Sequence, residues 1–326
     1  MAGSVTIHDV AAEAKVSIAT VSRVINGMSS VKESTRERVF QAMRKVGYVI
    51  SESQPAMQAG AKTILVLVTN INNLYTGKQI DGILSAANYA GYDCYIFKRK
   101  SEVYNLEQIC GIAKSINACG ILISWPNVPL EIISKLARVY PTVQINEYCE
   151  GSDVPFVSAD DYAIGKTATS YLLRLGYRKI GLIGGLSKFK YANDRLRGYM
   201  DALREFGVEP RPERIFPATQ ISSVTSRIVN LDDPLDAVVA TSDVQGAALV
   251  NELHAAGKEI PKDMAIISCE DTELAQYVYP PLTAVSQPIF HIGEEACKLL
   301  LSMIDGSAPQ ENQVYMQSDL IVRGTT

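Results

Sequence analysis

Downstream of Thr63 the chain alternates short, wholly apolar runs with amphipathic ones, and it completes that pattern twice. The runs T-I-L-V-L-V-T-N from 63, Y-D-C-Y-I-F from 92, G-I-L-I-S from 120 and T-V-Q-I-N from 142 read as strands. Between them, residues 79–90, 105–116 and 129–139 carry apolar positions at helical spacing. The pattern restarts with F-V-S from 156, a helix over 162–175, K-I-G-L-I-G-G from 179 and a helix over 192–206. A-V-V-A from 237, a helix over 244–256 and A-I-I-S from 265 complete it. Strands apolar on both faces and separated by helices predict parallel sheets covered on both sides. Two such series predict two α/β lobes, with ligand at the carboxyl ends of the strands in the cleft between them. The chain is expected to cross between lobes near Ala159-Asp160, Gln287-Pro288 and Ser318, with a helix over 290–304 returning to the first lobe.

The first 50 residues differ in kind. Ile7, Val10, Ala11 and Ala14 lie on one face of a helix that Thr6 is placed to cap. A second helix from Ser17 carries Ala19, Val21, Val24 and Ile25 and stops near Asn26-Gly27, with Val16 in the tight connection. That is the outline of a helix-turn-helix. A third helix over 34–46 turns Val39, Ala42, Met43 and Val46 inward, and Ser34 with Glu37 has the spacing of a capping box. The exposed face of the second helix is small and polar. Residues 1–50 hold seven Lys or Arg against four Asp or Glu, net +3, on a chain whose total is −4. A basic head on an acidic body is the charge asymmetry of a DNA reader.

Composition removes several alternatives. At 326 residues and 20% charged, the chain has room for a small head and larger lobes. It holds no apolar run of ~18 residues, so no membrane span is expected, and its start lacks a secretion-signal layout. The six cysteines (94, 110, 119, 149, 269 and 297) include no C-x-x-C pair and read as reduced thiols of a cytoplasmic protein. Three scattered histidines make no metal site, and no cofactor is expected. Gly184-Gly185 is not a G-x-G-x-x-G, and no nucleophile–base pair points to an enzyme.

The run A-x-x-A-x-V-S-x-x-T-V-S-R-V-I-N-G over 11–27, followed by T-R-E-R-V and G-Y, resembles the lactose-repressor (LacI) family of bacterial transcription regulators. The resemblance implies an all-α helix-turn-helix headpiece (1–50), a hinge (51–62) and a periplasmic-binding-protein-like body of two Rossmann-like parallel-sheet lobes (63–326). Lobe 1 would cover about 63–159 and 290–318, lobe 2 about 160–288 and 319–326. It puts Ile18 and Ala19 where members with different operators differ, and Arg23 and Ser22 on base edges and phosphates. His8, Ser17, Thr20 and Asn26 match backbone-contacting or orienting positions. An Arg23 fork on guanine would discriminate by ~1–3 kcal/mol. Lys32 stands where the family usually caps the third helix with Ser. The hinge keeps Tyr48 but has Ile50 for Pro, Ser51 for Asn, Pro55 for Arg, and Met57 where a leucine wedges the minor groove.

Within the body, A-D-D-Y-A-I-G places Asp160 and Asp161 on a family motif, and N-D-R-L-R-G-Y places Arg195 at the effector-binding arginine. T-S-D-V-Q-G-A puts Ser242-Asp243 on the usual Asn-Asp, and S-C-E-D-T puts Glu270 where the effector-binding Asp usually lies. Trp125 falls at a cleft-wall position, Tyr75 at the mouth of the first lobe-1 helix, and Gln287 near the cleft floor. An arginine, carboxylates and an aromatic ring converging on one cleft suit a sugar. The competing reading makes Asp161 and Glu270 helix caps and Arg195 their counter-charge. The chain ends at I-V-R-G-T-T without a heptad tail, so a homodimer reading a near-palindromic operator is expected rather than a tetramer. These expectations add up to a repressor of carbohydrate genes under a sugar or sugar-phosphate effector. The alternatives are a sugar receptor with a degenerate hinge and a regulator of the same fold activated by a corepressor.

Overall fold

The computed structural model describes residues 7–25, 32–46, 62–98, 105–185, 188–217, 219–307 and 311–326. In the head, α1 (Ile7–Ala14), α2 (Ile18–Ile25) and α3 (Glu33–Val46) pack Val10, Ala11, Ala14, Val21, Val24, Val39, Ala42 and Met43 into one apolar cluster. Lys15 takes a left-handed φ of 53° between the first two helices. Ser17 then caps α2, its Oγ accepting from the Thr20 amide at 3.1 Å. Lys45 reaches Glu13 at 2.7 Å and ties α3 to α1. The third helix departs from expectation. The Lys32 carbonyl accepts from Thr35 and Arg36 at 2.9 and 3.1 Å, so Lys32 holds the cap position and Ser34 lies inside the first turn. Thr6, Asn26, Tyr48, Pro55 and Met57 lie outside the described residues, as do the side chains of Ala19, Ser22 and Arg23.

Lobe 1 is built from β1 (Thr63–Val68), α4 (Leu74–Tyr89), β2 (Asp93–Lys98), α5 (Leu106–Ser115), β3 (Ala118–Ser124), α6 (Leu130–Val139), β4 (Thr142–Ile145) and β5 (Phe156–Ala159). Lobe 2 follows with α7 (Asp161–Arg174), β6 (Ile180–Gly185), α8 (Lys190–Glu205), β7 (Ile215–Pro217), α9 (Ile221–Val229), β8 (Ala237–Ala240), α10 (Asp243–Ala255), β9 (Ala265–Ser268), α11 (Glu273–Tyr277) and β10 (Thr283–Ser286). Then α12 (Ile289–Ile304) and β11 (Gln313–Met316) return to lobe 1, and β12 (Asp319–Ile321) ends in lobe 2. The sheet orders are β11-β5-β4-β3-β1-β2 and β12-β10-β9-β8-β6-β7. The strand pairs are parallel except β10 with β12. The chain therefore passes between sheets after β5, after β10 and between β11 and β12.

Two expectations are corrected. The F-V-S run does not open the second series; it is β5, parallel to β4 in the first sheet. Several helices also begin earlier than their apolar spacing implied, because polar caps set their starts. Asn73 accepts from the Tyr75 amide at 2.7 Å, so α4 starts at Leu74 rather than near 79. The short β7 and α9 were not read from the sequence, since their apolar positions are few and Pro217 interrupts the run.

Candidate functional site

Helix α4 leaves the end of β1 and carries Tyr75 and Gln79, and α12 crosses it through Gly293. A Cβ on Gly293 would lie 2.1 Å from the Gln79 carbonyl oxygen, so only glycine permits this approach. Lobe 2 repeats the device. A Cβ on Gly165 in α7 would lie 2.1 Å from the Arg195 carbonyl oxygen in α8. That crossing puts Arg195 beside Asp161 at the start of α7.

Between the lobes lies a cavity of about 260 Å³. Lobe 1 contributes Thr69, Asn70, Asn73, Tyr75, Thr76, Gln79, Ser124, Pro126, Asn146 and Glu147; lobe 2 contributes Asp161, Phe189, Tyr191, Arg195 and Glu270. The lobe-1 side consists of groups just past the carboxyl ends of β1, β3 and β4, the position where ligands bind in such sheets.

Arg195 is 2% exposed. Its Nε donates to Asp161 Oδ1 at 2.9 Å, its Nη1 to the Thr241 carbonyl, and Nη1 also reaches Glu270 Oε1 at 3.4 Å. The guanidinium lies 4.9 Å from the centre of the Tyr191 ring. Burial pushes the Glu270 carboxyl up to about 7 against the pull of Arg195. Burial raises Asp161 as well, again opposed by Arg195, and it raises Glu147. The Tyr191 hydroxyl is pushed up to about 12 by burial, with Glu270 adding to it. On the lobe-1 side, the Tyr75 hydroxyl donates to Gln287 Oε1 at 2.8 Å and accepts from Asn146 Nδ2 at 3.0 Å. Burial raises the Tyr75 hydroxyl too, which keeps it a donor. Gln79 Nε2 and Asn146 Oδ1 are buried and have no hydrogen-bond partner among the described residues. A buried donor and a buried acceptor left open on one cavity wall are what a hydroxyl-bearing ligand would satisfy.

Of the residues expected at the effector site, Tyr75, Arg195 and Glu270 line the cavity. Gln287 stands behind it, 5% exposed, holding Tyr75 and donating to the Cys269 carbonyl at 2.9 Å. The structure places four others elsewhere. Trp125 is 3% exposed and packs in the lobe-1 core near Phe97, with ring centres 6.4 Å apart. Its neighbours Ser124 and Pro126 face the cavity in its place, as period-two alternation requires. Asp160 caps α7, accepting from the Ala163 amide at 2.9 Å. Ser242 caps α10 in a capping box with Gln245. Asp243 accepts from the amide and hydroxyl of Thr272, which holds the loop before α11. The sequence reading missed Gln79, Asn146, Glu147, Phe189 and Tyr191 as cavity residues. Asn146 and Glu147 were detectable, because they immediately follow β4.

In the head, His8, Ser17 and Ile18 are exposed, Ile18 at 43%, and Thr20 is half-buried.

Residues 6–51 match the family model described as bacterial regulatory proteins, lacI family, and residues 169–326 the one described as periplasmic binding protein-like domain. The HTH-type transcriptional repressor CytR of Escherichia coli (strain K12) is 32% identical, over 98% of this chain and 96% of its own. The ribose operon repressor of Bacillus subtilis (strain 168) is 30% identical over 98% of each. A solved complex of the transcriptional regulator CelR with cellobiose aligns with TM-score 0.72 and 28% identity, covering 99% of this chain and 100% of that one.

A helix-turn-helix head joined to a two-lobed binding body defines a DNA-binding regulator under small-molecule control. The chain belongs to the lacI family of bacterial regulatory proteins. These relatives are transcriptional regulators rather than enzymes. Among the described residues, no helix is long and apolar enough to cross a membrane.

Proposed function

We propose that this protein is a cytoplasmic repressor of carbohydrate genes, released or recruited by an uncharged sugar held between its lobes. The observation that carries this reading is the charge and hydrogen-bonding inventory of the cavity. Among the described residues, three carboxylates (Glu147, Asp161 and Glu270) face it against the single cation Arg195, which is already engaged by Asp161. A phosphate or carboxylate on the ligand would enter a surplus of negative charge, which favours a neutral sugar over a sugar phosphate. The open Gln79 donor and Asn146 acceptor match hydroxyls.

Closing the lobes on the sugar would alter how the paired heads are held and so change the free energy of operator binding, typically by ~1–3 kcal/mol. In each head of the homodimer, Arg23 and Ser22 would read base edges and phosphates. Ile18 and Ala19 would meet apolar base surface, while His8, Ser17, Thr20 and Asn26 hold the backbone and Met57 enters the minor groove. The test is a gel shift of the full chain on DNA from upstream of its own gene, with and without neutral sugars. One sugar should move the midpoint by roughly 5–150-fold, and Arg23→Ala should weaken binding by about 10-fold or more. Midpoints indifferent to every sugar, or a variant that binds as the parent does, would overturn the reading.

A further inference from the structure

Glu147 borders two hollows. On its far side from the inner cavity lies an outer groove of about 620 Å³, whose walls also come from both lobes. Lobe 1 supplies Asn127 and Tyr148, and lobe 2 supplies Lys190, Asn193 and Arg197. The carboxylate between them is fixed from one side only. Its Oε1 accepts from the Tyr191 amide at 3.1 Å and its Oε2 from the Lys190 amide at 3.2 Å. A carboxylate offers about four acceptor positions, so each oxygen keeps capacity for a further donor.

The groove's rim is rigid. The Tyr148 ring stacks on Phe156 with centres 3.7 Å apart and planes 3° apart, and its hydroxyl lies 2.8 Å from that of Tyr315. Lys190 Nζ sits 4.1 Å from the centre of the same ring. Asn127 Nδ2 donates to the Lys188 carbonyl at 2.6 Å and joins the lobes at this edge. Asn193 is exposed. Arg197 spends one Nη on Asp194 at 2.6 Å, and its side chain is 65% exposed, leaving donors turned to the groove. The inner cavity alone is smaller than the ~300–1,000 Å³ typical of a pocket that encloses a drug-sized ligand. Its volume suits one sugar ring.

We propose that the effector is a disaccharide or longer glycoside, with one ring in the inner cavity, the next in the outer groove and the linkage passing Glu147. This rests on the reading of the inner cavity as a sugar site. Among the described residues of the groove lining, three carboxylates (Glu147, Glu150 and Asp194) balance three cations (Lys188, Lys190 and Arg197), so the outer ring too is uncharged, recognised through its hydroxyls by Asn193, Arg197 and the remaining capacity of Glu147.

The experiment compares glucose, galactose and fructose with maltose, cellobiose, lactose, trehalose and sucrose, by thermal shift and titration calorimetry on the full chain. A disaccharide should bind more tightly than either of its component sugars. Asn193→Ala and Arg197→Ala, both outside the inner cavity, should each weaken it by roughly 2–10-fold, the worth of one hydrogen bond, and leave the monosaccharide unchanged. A monosaccharide that binds as tightly as its dimer, or groove variants that bind the disaccharide normally, would overturn the extended site alone. Failure of the whole panel to bind would instead remove the sugar reading beneath it.

Discussion

The two walls of the cleft solve the same problem with opposite chemistry. Lobe 2 presents charge, and that charge is mostly spent on itself: Arg195 is held by Asp161, the Thr241 carbonyl and, more loosely, Glu270. Apart from Glu147, whose carboxylate is held by the Lys190 and Tyr191 amides, lobe 1 presents neutral amides and hydroxyls, two of which, Gln79 Nε2 and Asn146 Oδ1, are buried with no partner among the described residues. Each wall is positioned by a glycine pressed against the backbone of its central residue, Gly293 at Gln79 and Gly165 at Arg195. The charged wall is thus prepaid in desolvation and stays rigid without a ligand. The neutral wall carries the unsatisfied groups that only a ligand completes. A buried ion network is costly to break, whereas an open amide costs the free protein something and repays it on binding.

That contrast can be broken most forcefully at Arg195. Replacing it with alanine leaves Asp161 and Glu270 buried beside each other without a counter-charge. Chemical denaturation should show the body destabilised by about 3–5 kcal/mol, with no sugar-induced thermal shift remaining. Full stability in that variant would mean the lobe-2 charges are not a self-supporting unit.

Gln79 should behave in the opposite sense. A Gln79→Met change keeps the volume but removes the unpaired donor, so the ligand-free protein should gain on the order of 1 kcal/mol in the same denaturation assay. Sugar affinity should meanwhile fall roughly 10-fold in calorimetry. Loss of stability together with unchanged affinity would show that this amide is structural.

The effect at Glu270 appears only as a pH dependence. Burial pushes its carboxyl up to about 7 in the folded protein, from an ordinary 4.5. The folded state therefore binds that proton more tightly, and the resulting stability is fully present below about 4.5 and lost as pH rises through 7. Glu270→Gln, which cannot titrate, should gain in melting temperature relative to the parent between pH 5 and pH 8. A difference that stays constant across that range would place the Glu270 titration elsewhere.

Much of this architecture could be read before any coordinates. The central strands of both lobes (β1, β3, β4, β5, β8 and β9) are buried on both faces, so their apolar runs are continuous and unmistakable, and Arg195 and Glu270 sit in motifs shared with a known family. The differences at the polar strand-end positions Asp160 and Ser242 share one cause. Polar residues next to a strand end have two uses, capping the following helix or facing the cleft, and composition does not separate them. Asp160 and Ser242 cap while Asp161 faces the cavity. Trp125 is rotated into the core while Ser124 and Pro126 on either side are turned to the ligand space.

Local pattern alone was enough for the two-lobed α/β body and the basic three-helix head, because periodicity and charge balance are properties of neighbouring residues. Which side chains meet across the cleft was settled only in three dimensions. Gln79 and Arg195 are 116 positions apart in sequence and become opposing walls only after glycine-mediated helix crossings have set each lobe. The raised Glu270 carboxyl and the open Gln79 amide follow from burial and pairing, which depend on distances that no linear pattern encodes.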